Sequence, residues 1–425
     1  MGGSPIDAHR PKNSRRVVVT GMAAITPMAT GIEQSWSALQ RGVSPIKLVT
    51  RFDTSRMRTR VGGELADFSA TDFMDKRTAN RYDRFIVLAL AASRMAAEDA
   101  KLGRKGPAAD RIGVMLGNCL GGATLTEQSF RYMSEGRAGR ISPFFIPGII
   151  GSSSPGVVAI ALGAKGPSLA VNTACASGSD ALGQGLKLIR SGDADAVVAG
   201  GSEAPITELL YYGFSAMRAT SARNREPEKA SRPFDKDRDG FVPAEGAGVL
   251  VLEGLESALH RGVPIYAEVA GYGASCDAYH ITSPDPQATG AVAAIRAALR
   301  DAGIQPAEVD HVNAHGTSTQ LNDLVETRAL KAVFGARARE LPVSSNKSVC
   351  GHTIAAAGAL EAVFSVLSIR DGVVPPTLNY EVPDPELDLD YVPNRARKEE
   401  IATVLSNSFG FGGANACLVF RKWNG

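Results

Sequence analysis

The sequence predicts a layered α/β protein with mostly parallel or mixed sheets, on three observations. Short β-branched runs recur along the chain, stretches of helical periodicity separate them, and two distant strand-turn-helix units echo each other. The strand runs fall at residues 16–20, 112–116, 168–172, 196–199, 249–252, 266–270, 309–313, 342–345 and 402–405. Between them, 84–100 and 291–302 place apolar residues at helical spacing. The echo pairs 171–192, ending Ile-Arg-Ser-Gly192, with 344–372, ending Ile-Arg-Asp-Gly372. Each passes from a strand through a polar turn into an Ala/Gly-rich helix, as duplicated halves meeting near Glu268 would. The stretches 174–186 and 355–362 are so rich in small residues that neighbours can approach from every side, which predicts buried central helices.

No linker or low-complexity break divides the 425 residues, so two closely packed halves are expected, 16–267 and 268–425. Residues 1–15 read as a disordered polar arm or an expression remnant. A net charge of +2 argues against nucleic acid as the main partner and leaves room for a local basic patch facing an acidic protein. No apolar run reaches the roughly 20 residues a membrane span needs, and the N-terminal stretch lacks the apolar middle of a signal peptide. The five cysteines are odd in number, scattered and without metal spacing, which predicts neither a disulfide framework nor a zinc site and fits a reducing cytoplasm.

Four segments bear chemistry. In Asn172-Thr-Ala-Cys175-Ala-Ser-Gly-Ser179 a strand ends and a helix begins, so the thiol should feel unpaired N–H groups that favour thiolate. In Val309-Asp-His-Val-Asn-Ala-His315-Gly-Thr-Ser-Thr319, strand alternation puts His311, Asn313 and His315 on one face, with His315 where Gly316 lets the chain turn into a cleft. In Ser344-Ser-Asn-Lys347-Ser-Val-Cys-Gly351-His352, a second strand leads to a helix, and Glu361 lies further on. A histidine at such a terminus is pushed toward its neutral form and can donate an N–H without adding charge, which suits an enolate. Lys347 and Glu361 suggest an ion pair.

In Ser406-Asn-Ser-Phe409-Gly-Phe411-Gly-Gly-Ala-Asn415 the glycines free backbone amides to face an oxyanion while the phenylalanines close a passage. A phosphate loop is disfavoured because a strand-like run, 416–420, stands where a helix would be needed. Asp235-Lys-Asp-Arg-Asp239-Gly240 imitates the opening of a calcium loop, but the twelfth position is Gly246, Glu245 stands one place early and Pro243 intervenes. An arginine-carboxylate network bracing the site is the better reading.

Taken in order, Thr173-Ala-Cys175-Ala-Ser-Gly178, Arg232-Pro-Phe-Asp-Lys-Asp-Arg-Asp-Gly-Phe241, Asn313-Ala-His-Gly-Thr-Ser-Thr319, Lys347-Ser-Val-Cys-Gly-His352 and Asn407-Ser-Phe-Gly-Phe-Gly-Gly413 resemble the β-ketoacyl-[acyl carrier protein] synthases, the elongating synthase II branch above all. The resemblance runs from about residue 16 to the C-terminus. It implies the thiolase fold, two βαβ-rich halves in five layers (αβαβα), working as a cytoplasmic homodimer on substrates carried by acyl carrier protein, with no metal or redox cofactor. Carried over residue by residue, Cys175 resembles the acyl-accepting nucleophile, and His315 and His352 the pair promoting malonyl decarboxylation. Lys347 and Glu361 organise the site, and the N–H groups of Cys175 and Phe411 form the oxyanion hole. Thr317 and Thr319 match positions that bind the phosphopantetheine arm, and Phe409 is expected among the substrate-binding residues; Phe411 matches the gate, and Leu120 is expected to line the acyl pocket. Arg77 and Arg81, with Arg140 and Arg218, fall where carrier-docking cations are expected.

The sequence departs from the family pattern at Ala414, where threonine is frequent, at 320–322 and at Leu120, which leaves chain length open. A type II polyketide or polyene ketosynthase shares every catalytic element and would need a homologous chain-length partner; an inactive partner subunit would have no use for Cys175. Initiating synthases pair cysteine with histidine and asparagine. Thiolases need a second cysteine in the C-terminal glycine loop, which 409–413 does not supply.

Overall fold

The computed structural model describes residues 15–103 and 106–425; the arm read at 1–15 lies, Arg15 apart, outside them. Ten strands form one path: β1 Val17–Thr26, β2 Ile112–Gly117, β3 Ser168–Val171, β4 Ala196–Glu203, β5 Gly246–Gly254, β6 Ala267–Cys276, β7 His311–Asn313, β8 Val343–Ser344, β9 Thr403–Gly410 and β10 Ala414–Arg421. Their order is β8-β7-β9-β10-β6-β1-β5-β4-β2-β3. The seam is short: β1 and β6 pair only at Val18 with Glu268 and Val19 with Ala267, where Arg16 also bonds Glu268 at 2.8 Å.

Outward from that seam the pairing senses match on the two sides. β1–β5 and β5–β4 are antiparallel, then β4–β2 and β2–β3 parallel. β6–β10 and β10–β9 are likewise antiparallel, then β9–β7 and β7–β8 parallel.

Six helices complete the layers: α1 Arg84–Asp99, α2 Ser153–Leu162, α3 Ser177–Ser191, α4 Thr289–Ala302, α5 Gln320–Phe334 and α6 Ala357–Asp371. Strand alternation decides what each face buries. On β4 and β5, Val197, Ala199, Leu250 and Leu252 join a central core with α3 and α6, while Val198, Val249 and Val251 pack outward against α1. On β9 and β10, Val404, Ala416, Leu418 and Phe420 join the same central core, and Leu405, Cys417 and Val419 pack against α4 and α5. Helices outside, sheet, helices α3 and α6, sheet, helices outside: these are the five layers of the thiolase fold.

The central helices cross closely because Gly178 and Gly358 stand at the crossing. A Cβ on Gly178 would lie 2.8 Å from the Ala355 carbonyl oxygen, and one on Gly358 would meet Ser179 Oγ and Ser408 Oγ. Residues 357–369 of α6 are all buried, as the small-residue pattern predicts. β1 runs past its predicted end through a bulge between Val19 and Gly21; a Cβ on Gly21 would meet the α1 backbone at 2.4 Å. Among the described residues no helix is long and apolar enough to cross a membrane.

Candidate active site

β3 ends at Val171, and a 3-10 turn, Ala174–Ala176, leads into α3. Ala174 is left-handed, φ 52, a conformation that costs a non-glycine residue energy and is held here by its surroundings. Ser177 Oγ donates to the Ala174 carbonyl at 2.6 Å and accepts the Thr173 N–H at 2.9 Å, which clamps the turn. Cys175 at its centre faces a cavity of about 530 Å³. The Gly410 backbone packs directly on this turn: a Cβ there would meet the Thr173 carbonyl oxygen at 2.5 Å. The next N–H, of Phe411, reaches the Cys175 sulfur.

Two histidines line the same cavity from the C-terminal half of the chain, and one of them meets the thiol. His352 Nε2 lies 3.1 Å from Cys175 Sγ, and its Nδ1 accepts the Ile354 N–H at 3.2 Å. In the neutral ring the proton therefore sits on Nε2, pointing at the thiol. His315 is fixed alike: Lys347 Nζ stands 3.4 Å from its Nδ1, leaving Nε2 to carry the proton. The two rings are 5.5 Å apart, near perpendicular. Burial first, then the Lys347 charge, hold both histidines well below the usual imidazole range. The direction is the one the sequence leads one to expect, with burial as the first cause in place of a helix terminus.

Lys347 and Glu361 form a short buried ion pair. Burial pushes the Glu361 carboxyl up, against the Lys347 charge. The thiol departs from expectation. Burial pushes Cys175 up to about 12, more than Lys347 and the Phe411 N–H lower it, opposite in direction to the lowering a helix terminus gives.

Thr317 and Thr319 line the same cavity, their hydroxyls 3.0 Å apart. Leu120, Phe409, Phe411 and Arg218 line it too; Phe409 packs on the His315 ring at 5.7 Å, and Phe411 is 41% exposed at its mouth. Arg77, Arg81 and Arg140 stand apart from the cavity. Arg77 and Arg140 are exposed, and the Arg81 guanidinium lies over the Phe144 ring at 4.2 Å.

The calcium look-alike is an arginine-carboxylate network. Asp235 accepts from Arg232 Nε at 2.9 Å and from three backbone N–H groups, of Asp237, Glu381 and Val382. Arg238 donates to Asp384 and to the Thr319 and Gln320 carbonyls, bracing the loop beyond His315.

Two contributors went unread in the sequence. Phe241 packs its ring against His352 at 5.4 Å; it closes the Arg232-to-Phe241 motif, and its aromatic character was the available signal. Glu326 accepts the His315 and Gly316 N–H groups at 2.9 and 2.8 Å and the Asn407 amide at 3.1 Å. Nothing local marks an acid in a helix as a support for a loop ten residues earlier.

Residues 14–258 match the family model "Beta-ketoacyl synthase, N-terminal domain" and 266–381 match "Beta-ketoacyl synthase, C-terminal domain". The chain belongs to the beta-ketoacyl synthase family. It is 50% identical to "3-oxoacyl-[acyl-carrier-protein] synthase 2" of Synechocystis sp. over 96% of this chain and 98% of that protein. It is 48% identical to the Staphylococcus aureus (strain N315) protein of the same name, over 96% and 99%. Among solved structures, "The ishigamide ketosynthase/chain length factor" matches with a TM-score of 0.90 and 37% identity, covering 97% of this chain and 100% of that one.

Proposed function

We propose that this chain is a 3-oxoacyl-[acyl carrier protein] synthase of fatty acid elongation, condensing a Cys175-bound acyl group with malonyl-[acyl carrier protein]. The observation that carries the reading is His352 Nε2 at 3.1 Å from Cys175 Sγ, with Nδ1 already occupied by the Ile354 N–H. An N–H fixed in that direction donates to whatever oxygen sits beside the sulfur.

In the first step the Cys175 sulfur attacks the acyl thioester carbonyl. The N–H groups of Cys175 and Phe411 hold the oxyanion, the carrier thiolate leaves, and it takes the proton that Cys175 gave up. In the second, the bond from the malonyl carboxylate to its α-carbon breaks and carbon dioxide departs. The Nε2–H groups of His315 and His352 hold the enolate oxygen, and being neutral they stabilise it without protonating its carbon. That carbon then attacks the acyl carbonyl and expels the Cys175 sulfur as thiolate, which takes a proton from water. Lys347, tied to Glu361, keeps His315 in the donating tautomer. Thr317 and Thr319 hold the phosphopantetheine arm, Phe409 and Phe411 gate the entry, and Leu120 walls the acyl chain. The scheme draws on no metal or redox cofactor.

In this reading Arg218 at the cavity and Arg77, Arg81 and Arg140 on the surface apart from it serve an acidic carrier protein. The chain works as a homodimer in this reading. β3 is an edge strand with Leu169 58% exposed, and Phe130 and Ile160 are 70% and 82% exposed, an apolar edge that a second copy would cover. Five free cysteines suit the cytoplasm. The likeness to a ketosynthase/chain length factor structure supports a second reading, a polyketide ketosynthase with a homologous partner; the higher identity to elongating synthases favours the first.

The test is product analysis with acyl- and malonyl-loaded carrier protein. A chain two carbons longer, absent with Cys175→Ala, is the expected result. Decarboxylation without extension until a homologous chain is added would favour the second reading.

A further inference from the structure

Glu203 ends β4 with its side chain fully buried. Its Oε2 accepts two successive backbone N–H groups, from Cys119 at 2.8 Å and Leu120 at 3.1 Å, and the Gly121 N–H also faces the carboxyl. Oε1 is buried with no hydrogen-bond partner. The segment so held is the wall between two spaces. Leu120 lines the catalytic cavity and also a second cavity of about 290 Å³, lined on its far side by Thr126, Ile149, Leu209 and Leu210. Among the described residues no other side chain reaches these N–H groups, which lie on half-buried residues, and losing the acceptor removes the bonds that hold the segment.

The geometry points to Glu203 as the positioning residue that sets Leu120 as the end wall of the acyl space, and so fixes the acyl length accepted. The inference rests on the reading of the catalytic cavity as an acyl-condensing site and adds the residue that limits it. An acceptor at position 203 keeps the Cys119–Gly121 backbone in place and Leu120 across the passage. Without it the segment relaxes, Leu120 swings, and a longer chain passes into the second cavity. Burial pushes the Glu203 carboxyl up to about 8, with Asp83 nearby adding to the rise.

The test is the ratio of kcat/KM for hexadecanoyl- over octanoyl-carrier protein in the wild type and in Glu203→Ala, Glu203→Gln and Glu203→Asp. A ratio within one variant is independent of how much of the preparation is folded. Glu203→Ala should raise it about tenfold. Glu203→Gln keeps an acceptor and should hold the wild-type ratio. Glu203→Asp, with a shorter reach, should raise it by less, and serves if the alanine variant does not fold. An unchanged or lowered ratio in both Ala and Asp variants overturns the inference, and so does a glutamine variant that shifts as far as alanine. A wild type that extends neither carrier removes the catalytic reading itself, and this inference with it.

Discussion

The turns Ala174–Ala176 and Ile354–Ala356 share one backbone plan. Each opens on a left-handed non-glycine residue, Ala174 at φ 52 and Ile354 at φ 49, and each feeds a 15-residue buried helix. Each helix ends on a left-handed glycine, Gly192 or Gly372, and each has a glycine four residues after the left-handed one, where the helices cross. They differ in the residue next to the strained one: Cys175 in the first turn, Ala355 in the second. In the second unit the chemistry has moved earlier, to Lys347 and His352. One scaffold placed twice thus faces the nucleophile of one unit toward His352 of the other, His315 joins from the loop after β7, and neither unit holds a complete site. The geometry that counts is between the units, across the crossing of α3 and α6.

This division of labour shows most plainly when the donors are removed and the nucleophile kept. His352→Ala should still take up an acyl group on Cys175 but lose condensation by about a thousandfold, within the range of a positioned proton donor; His315→Ala should do the same. Single-turnover acylation beside steady-state product formation checks it. A variant that loses acylation as severely as condensation would place the histidines in the first step too.

Next comes the ion pair in the second unit. Lys347→Ala leaves Glu361 buried without its partner and should cost about 3–5 kcal/mol of stability by denaturant unfolding. Lys347→Met with Glu361→Gln should recover part of that. The matched glycines set the two units apart more finely. Gly178→Ala presses on backbone, the Ala355 oxygen and the Ala359 nitrogen, whereas Gly358→Ala presses first on the Ser179 and Ser408 hydroxyls, which can turn. The first should cost about 3 kcal/mol and the second about 1, read as midpoints of unfolding.

The remaining effect is in pH. Burial raises Glu326 to about 7. Its stabilisation is therefore complete below the ordinary glutamate range and is lost as pH rises through about 7, because the unfolded chain ionises first. Glu326→Gln should flatten the fall of Tm between pH 5 and pH 8; an unchanged slope would contradict the assignment.

The site was legible where it is local. A strand, a turn and a small-residue helix carry Cys175 in one short stretch, and Lys347, His352 and Glu361 in another, so spacing located them. Two further things depended on the assembled fold. A helix terminus alone predicts an activated thiol, but the burial that raises Cys175 comes from a cluster gathered from distant segments, Phe214, Phe241 and Ile354 among them, and from the glycine loop. The strand run at 402–405 stops short of β9, which continues through Ser406, Asn407 and Ser408 to Gly410. Those polar residues are tolerated in a buried strand because partners such as Glu326 and Ser179 come from distant segments, and no period in the sequence announces them.

The most direct test of Cys175 as the acyl acceptor is intact-protein mass spectrometry after mixing with acyl-loaded carrier protein and no malonyl donor. A single acyl adduct is expected, mapping to the peptide of Cys175, absent from Cys175→Ala and present in His352→Ala. An adduct on another cysteine, or one that persists in Cys175→Ala, would contradict the assignment.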